Sequence, residues 1–135
     1  MTDADLAARI AEDAGAILMA VRDGGLLEGR ALGAAGDRLA NCFILDALRA
    51  QRPDDAILSE ESVDTTERLK HERVWIVDPL DGTREYSEGR SDWAVHIALA
   101  VGGRPALGAV ALPAQNIVLR SDAPPAAPLP AGGPV

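Results

Sequence analysis

The sequence predicts an α+β fold in which two helices pack on a largely antiparallel sheet. Apolar residues recur at helical spacing only before Pro53, and later apolar runs are short, alternating and bounded by Gly, Pro and Asp. Helices and strands do not alternate regularly, as a doubly wound sheet would require. At 135 residues the chain can bury roughly two-thirds of its unfolded surface as a single domain.

Leu6, Ile10, Ile17, Leu18 and Val21 form one helical stripe, and Thr2 with Asp5 suits a capping box, so a first helix is expected over about residues 3–22. Asp23-Gly24-Gly25 ends it. Three glycines between Gly29 and Gly36 read as a loop, with a second helix capped by Asp37 and running through Leu39, Phe43, Ala47 and Leu48 to Pro53. Strands are expected at Ala56-Ile57-Leu58, Val74 to Val77, Trp93 to Val101 and Ala106 to Leu112. Gly102-Gly103-Arg104-Pro105 reads as a hairpin turn, and Asn116 to Leu119 as an edge strand. Residues 1–120 are thus expected to form the folded domain. Residues 121–135, rich in Pro and Ala, read as an extended linker or tail whose second domain is missing from the chain.

The net charge is −8, so the summed field repels nucleic-acid polymers and anionic membrane surfaces. Residues 54–92 hold 12 acids and 5 bases, leaving 9 acids and 8 bases for the rest. Nearly all excess negative charge therefore sits in one segment. A lone Cys42 excludes an internal disulfide and fits a reducing cytoplasm; beside Phe43 and Ile44 it is expected to be buried. No basic signal peptide opens the chain, and no apolar run is long enough to span a bilayer.

The chemistry concentrates in Val74-Trp75-Ile76-Val77-Asp78-Pro79-Leu80-Asp81-Gly82-Thr83, where a buried strand runs into two carboxylates. Pro79 is expected to fix a turn that aims Asp78 and Asp81 in one direction, a hard-cation arrangement suited to magnesium. A helical turn through Gly82, Thr83 and Arg84 would aim free N–H groups at the same place, where they can receive a phosphate oxygen. Glu60, in Ser59-Glu60-Glu61-Ser62 just past another strand, converges there if the two strands are neighbours.

Glu60-Glu61-Ser62 followed by Trp75 to Thr83 resembles the signature of the inositol monophosphatase superfamily of magnesium-dependent, lithium-sensitive phosphatases. Gly36-Asp37-Arg38-Leu39-Ala40-Asn41, Thr66-Glu67-Arg68-Leu69, Gly82-Thr83-Arg84-Glu85-Tyr86 and Gly89 to His96 resemble its actinobacterial CysQ-type branch, which acts on 3′-phosphoadenosine 5′-phosphate in sulfur assimilation. The resemblance covers about residues 5–120 and implies the N-terminal half of that layered sugar-phosphatase fold.

By this resemblance Glu60, Asp78 and the Leu80 carbonyl hold one Mg2+, and Asp78 and Asp81 contribute to a second; Mn2+ could substitute and Li+ inhibit. Asp37 and Thr83 would orient or deprotonate the attacking water, with Glu60 also part of the catalytic set. Asp81, Gly82, Thr83 and Arg84 would contact the substrate, a small phosphorylated metabolite. Inositol monophosphate and fructose bisphosphate remain alternative substrates, and a non-catalytic metal-binding or dimerisation module is the alternative of another class. The family's further aspartate, in a Trp-Asp motif of the second half, is absent from these residues, so weak or no turnover is expected. Family members pair through this half, so a homodimer is compatible.

Arg84, Arg90 and Arg104 are candidates for a second phosphate or for structural ion pairs. His96 is expected to be a satisfied, buried histidine, Trp75 to be core, and Trp93 to be core or a dimer contact. An Asp-x-Asp loop of the haloacid dehalogenase type fits poorly, because Asp78 and Asp81 are one residue farther apart and follow the helices.

Overall fold

A computed structural model describes residues 1–59 and 72–122. Glu60, Glu61 and Thr66 to Leu69 lie outside the described residues, as does the tail beyond Asp122. Helices α1 (Asp3–Asp23) and α2 (Gly29–Gln51) precede strand β1 (Ala56–Ser59) and strand β2 (Arg73–Asp81). A short helix α3 (Thr83–Ser87) leads to β3 (Ala94–Val101), β4 (Arg104–Leu112), a 3-10 turn at Pro113–Gln115, and β5 (Ile117–Arg120). The five strands form one sheet in the order β1-β2-β3-β4-β5, antiparallel except for the parallel β1–β2 pair.

Each strand turns alternate residues toward the helices. Val77, Ile97 and Ala109 are register partners across three strands, and all are buried there together with Trp75, Val95 and Leu99. Helix α1 lies over β3 and β4, and α2 over β2. The opposite face is more open: Ile76, its register partner Ala98, and Gly108 beyond it have no helix above them among the described residues. Trp75 is core, as expected, and its Nε1 donates to Asp55 Oδ2 at 2.8 Å. Asp55 also accepts from Arg73, which reaches Asp3 at the start of α1, so a charged network pins β2 to the helix layer.

Thr2 caps α1, its hydroxyl accepting from the Asp5 N–H at 3.0 Å. The hairpin turn is built on Gly102 and Gly103, with φ of 61° and 80°, the left-handed pair that matches the twist of the flanking strands. Strand β5 lies at the expected edge.

Two expectations fail. The segment from Gly29 to Gly36 is the first two turns of α2, and Asp37 is inside the helix instead of capping it. Glycine costs a helix roughly 1 kcal/mol against alanine, yet close packing needs it here. A Cβ at Gly33 would lie 2.7 Å from Ser87 Oγ and from Thr83 Cγ2; one at Gly36 would lie 2.9 Å from the Tyr86 ring and 3.0 Å from Leu18. Bare backbone lets α2 approach α3. Cys42 is exposed instead of buried, because two residues along a helix rotate the side chain about 200° away from buried Ile44, onto the opposite face.

Gly36→Ala should therefore destabilise the fold by about 1–2 kcal/mol through overpacking, against the usual gain from replacing a helical glycine. Thermal unfolding followed by circular dichroism measures this. A raised Tm would show that the close approach is not what selects glycine.

Candidate metal and phosphate site

Residues 78 and 81 are an odd number of positions apart, so on a regular strand their side chains would point to opposite faces. Strand β2 avoids this with a bulge. Asp78 pairs with His96 and Asp81 with Ala94, so three steps on β2 face two on β3. The extra residue falls at Pro79-Leu80, where proline's missing N–H removes one ladder bond. The strand thus continues through Pro79, and the expected turn is a bulge. Its effect is the one the turn was invoked for: Asp81 Oδ2 comes to 3.0 Å from Nε2 of His96, which stands directly across from Asp78.

The two carboxylates are not equivalent. Asp78 is half-buried and Asp81 exposed. Burial holds the Asp78 carboxyl above the usual carboxylate range and the negative charge of Asp81 adds to this, while His96 and a backbone hydrogen bond from Leu80 pull the other way. Such a pair of oxygen donors, crowded in like charge, fits a hard divalent cation. Among the described residues no three His, Cys, Asp or Glu side chains converge as a complete metal cage; Glu60 lies outside them.

Beyond Asp81 the chain turns sharply. Gly82 has φ +94°, and a Cβ there would lie 3.1–3.2 Å from Trp93 and the Asp92 carbonyl, so only glycine is accommodated. Helix α3 then starts at Thr83, with the Tyr86 N–H donating to the Gly82 carbonyl at 2.9 Å. The early helical turn expected here is present, and its first N–H groups have no partner within the helix. The Thr83 hydroxyl is 3.5 Å from the Leu80 carbonyl, a long contact. Asp37 is half-buried on α2, one residue after the Gly36 backbone that abuts Tyr86.

Four residues anchor this loop to α1. The Tyr86 hydroxyl donates to the Leu18 carbonyl at 2.6 Å, and its ring meets Trp93 edge-on at 4.9 Å. Arg22 stacks over both rings, 5.5 and 5.2 Å from their centres, and donates to the carbonyls of Tyr86 and Arg90. Trp93 is core, its Nε1 donating to the Arg90 carbonyl.

His96 differs from expectation. It is partly exposed on the open sheet face and paired with Asp81, because alternation along β3 turns Val95 and Ile97 to the core and their neighbour outward. Arg84 pairs with Glu88 at 3.1 Å and Arg90 with Asp92 at 2.7 Å, so both are engaged in surface ion pairs. Arg104 is exposed at the start of β4. The roles of Arg22 and Tyr86 had no signal in the sequence, since both depend on contacts more than 60 positions away.

Fold and site together define an α+β protein that presents paired carboxylates and a helix start at the end of a sheet strand. The model of the inositol monophosphatase family matches residues 5–123, and the chain belongs to that family. It is 55% identical over 134 residues to the 3′-phosphoadenosine 5′-phosphate phosphatase of Mycobacterium leprae, covering 90% of this chain and 49% of that protein. It is 42% identical over 85 residues to the 3′(2′),5′-bisphosphate nucleotidase CysQ of Escherichia coli, covering 62% and 35%. Among solved structures, CysQ from Bacteroides thetaiotaomicron superposes with a TM-score of 0.78 at 27% identity, over 88% of this chain and 45% of that one. SuhB of Mycobacterium tuberculosis superposes with a TM-score of 0.74 at 29% identity, over 87% and 43%. The chain spans about half the length of the curated relatives it matches. Among the described residues no helix is long and apolar enough to cross a membrane.

Without metal, Asp78 should oppose folding at neutral pH. Its folded-state pKa is raised, so its contribution to stability is present below the unfolded carboxylate pKa and is lost as pH rises through the folded value. Asp78→Asn should therefore raise the Tm of the metal-free protein at pH 7 and have a smaller effect at pH 3. A lowered Tm at pH 7 would mean the carboxylate is stabilised as an ion.

Proposed function

We propose that this chain carries the metal- and phosphate-binding half of a magnesium-dependent phosphomonoesterase that hydrolyses the 3′-phosphate of 3′-phosphoadenosine 5′-phosphate to AMP and phosphate. The observation that carries this reading is the β2 bulge, which turns Asp78 and Asp81 to one side at the start of α3. Identity to the mycobacterial phosphatases supports the choice of substrate over inositol monophosphate and fructose bisphosphate.

Asp78, Asp81 and the Leu80 carbonyl would hold magnesium, with Glu60 as a further ligand. Bound there, the ion supplies charge neutralisation at the phosphate oxygens and lowers the pKa of a coordinated water. The backbone N–H groups of Gly82 and Thr83 would hold a phosphate oxygen and restrain its rotation. Thr83 and Asp37 would orient the attacking water and take its proton as the oxygen–phosphorus bond forms. The ribose 3′-oxygen departs and gains a proton, giving AMP. Arg84 would turn from Glu88 toward the anionic substrate, an exchange with a small cost because the pair is exposed.

Phosphate release from 3′-phosphoadenosine 5′-phosphate, inositol 1-phosphate and fructose 1,6-bisphosphate, with Mg2+ or Mn2+ and with or without Li+, tests the reading. Slow, Mg2+-dependent release favouring the adenosine bisphosphate is expected, suppressed by Li+ and reduced to background in Asp78→Asn. Metal binding without release from any of the three would instead point to a non-catalytic module.

A further inference from the structure

His96 touches the candidate metal site without being among the residues assigned to it. It sits on β3 directly opposite Asp78, and its Nε2 lies 3.0 Å from Asp81 Oδ2. That distance suits an Nε2–H donating to a carboxylate oxygen. The two side chains can meet only because the bulge brings Asp81 to the open face, and His96 reaches that face because Val95 and Ile97 take the buried positions on either side.

A hard cation selects oxygen ligands over imidazole. With Nε2 engaged on one oxygen of Asp81, the other oxygen is left for the ion. Asp81 is otherwise exposed at the end of a strand, next to a glycine with unusual backbone freedom, so an unheld carboxylate there would rotate among several rotamers. Fixing it before the ion arrives reduces the ordering cost of binding.

We propose that His96 is a positioning residue for the metal site: it holds Asp81 by one carboxylate oxygen and presents the other to the cation. The inference rests on the reading of Asp78 and Asp81 as metal ligands. His96 need not contact substrate or reacting atoms. The bond is open to either neutral or charged imidazole, provided Nε2 carries a proton.

Mn2+ binding to the whole chain, followed by loss of the free-ion electron paramagnetic resonance signal, tests this independently of turnover. His96→Leu should weaken Mn2+ affinity about tenfold, the lower end of the loss typical when a partner hydrogen-bonded to a ligand is removed. His96→Gln, which keeps an N–H near the position of Nε2, should recover most of that affinity. In an Asp81→Asn background His96→Leu should have no further effect. Unchanged affinity in His96→Leu, alongside weakened binding in Asp81→Asn, would overturn the positioning role and leave the metal site standing. Unchanged affinity in Asp81→Asn, or no Mn2+ binding by the unaltered chain, would overturn the proposal together with the reading beneath it. Equal losses in His96→Leu and His96→Gln would also overturn it, because a held hydrogen bond predicts the difference between them.

Discussion

Two carboxylates three positions apart can share one face of a strand only if the strand is irregular, and the bulge at Pro79-Leu80 is that irregularity. Like charges brought together in a half-buried setting repel, and burial alone disfavours the ionised form of Asp78. The rest of the fold must hold this arrangement against its own electrostatics. Strand β2 does so by being central: β1 flanks it on one side and β3 on the other, and Trp75 and Val77 are buried beneath the helices. A bulge on a lone hairpin could relax by slipping register. Here a slip would carry Trp75 and Val77 out of the core and replace them with Ile76 and Asp78.

The loop after the bulge is held just as firmly, although it is short. Gly82 permits the turn, Tyr86 fills the space that Gly36 leaves on α2, and Thr83 and Ser87 fill the space at Gly33. Arg22 and Leu18 tie the same loop to α1 through carbonyl oxygens. A helix of one turn has little stability of its own, so the position of α3 depends on these tertiary bonds. If the Gly82 and Thr83 N–H groups receive an anion as proposed, they do so better the less they move. Gly33 and Gly36, which look like loop punctuation in the sequence, therefore let two helices approach closely enough to fix a third.

The sequence made the fold class and most strand positions legible because alternation, hairpin glycines and the capped first helix are local signals. It also singled out Asp78 and Asp81 as candidates and predicted the helical turn at Thr83, since a buried strand that ends in carboxylates, proline and glycine is unusual under any local rule. What it concealed was non-local. Glycines at 29, 33 and 36 favour a loop on intrinsic propensity, and at 33 and 36 the close approach of Thr83, Ser87 and Tyr86 across the interface is what calls for glycine within a helix. His96 resembles a core residue because both its neighbours are core residues; its true orientation follows from the strand's phase, which is set by what packs beneath Val95 and Ile97. Arg22 resembles an ordinary basic residue in the last turn of a helix until Tyr86 and Trp93 are folded under it.

The division of roles between Asp78 and Asp81 follows from the same geometry. Asp78 lies within the ladder, opposite His96, and its backbone is fixed by strand pairing, so it needs no side-chain partner to stay in place. Its environment disfavours the bare carboxylate, which costs the fold stability when the group is ionised and, on the proposed reading, would favour a cation beside it. Asp81 is the last residue of the strand and is exposed, and its side chain takes its direction from His96. One carboxylate is half-buried and positioned by backbone, the other exposed and positioned by a side chain. If the pair holds a cation as proposed, such an arrangement separates the source of affinity from the source of geometry. On that reading a change at the partner of Asp81 would act on how well a cation is received, while a change at Asp78 would act also on how stably the sheet itself folds.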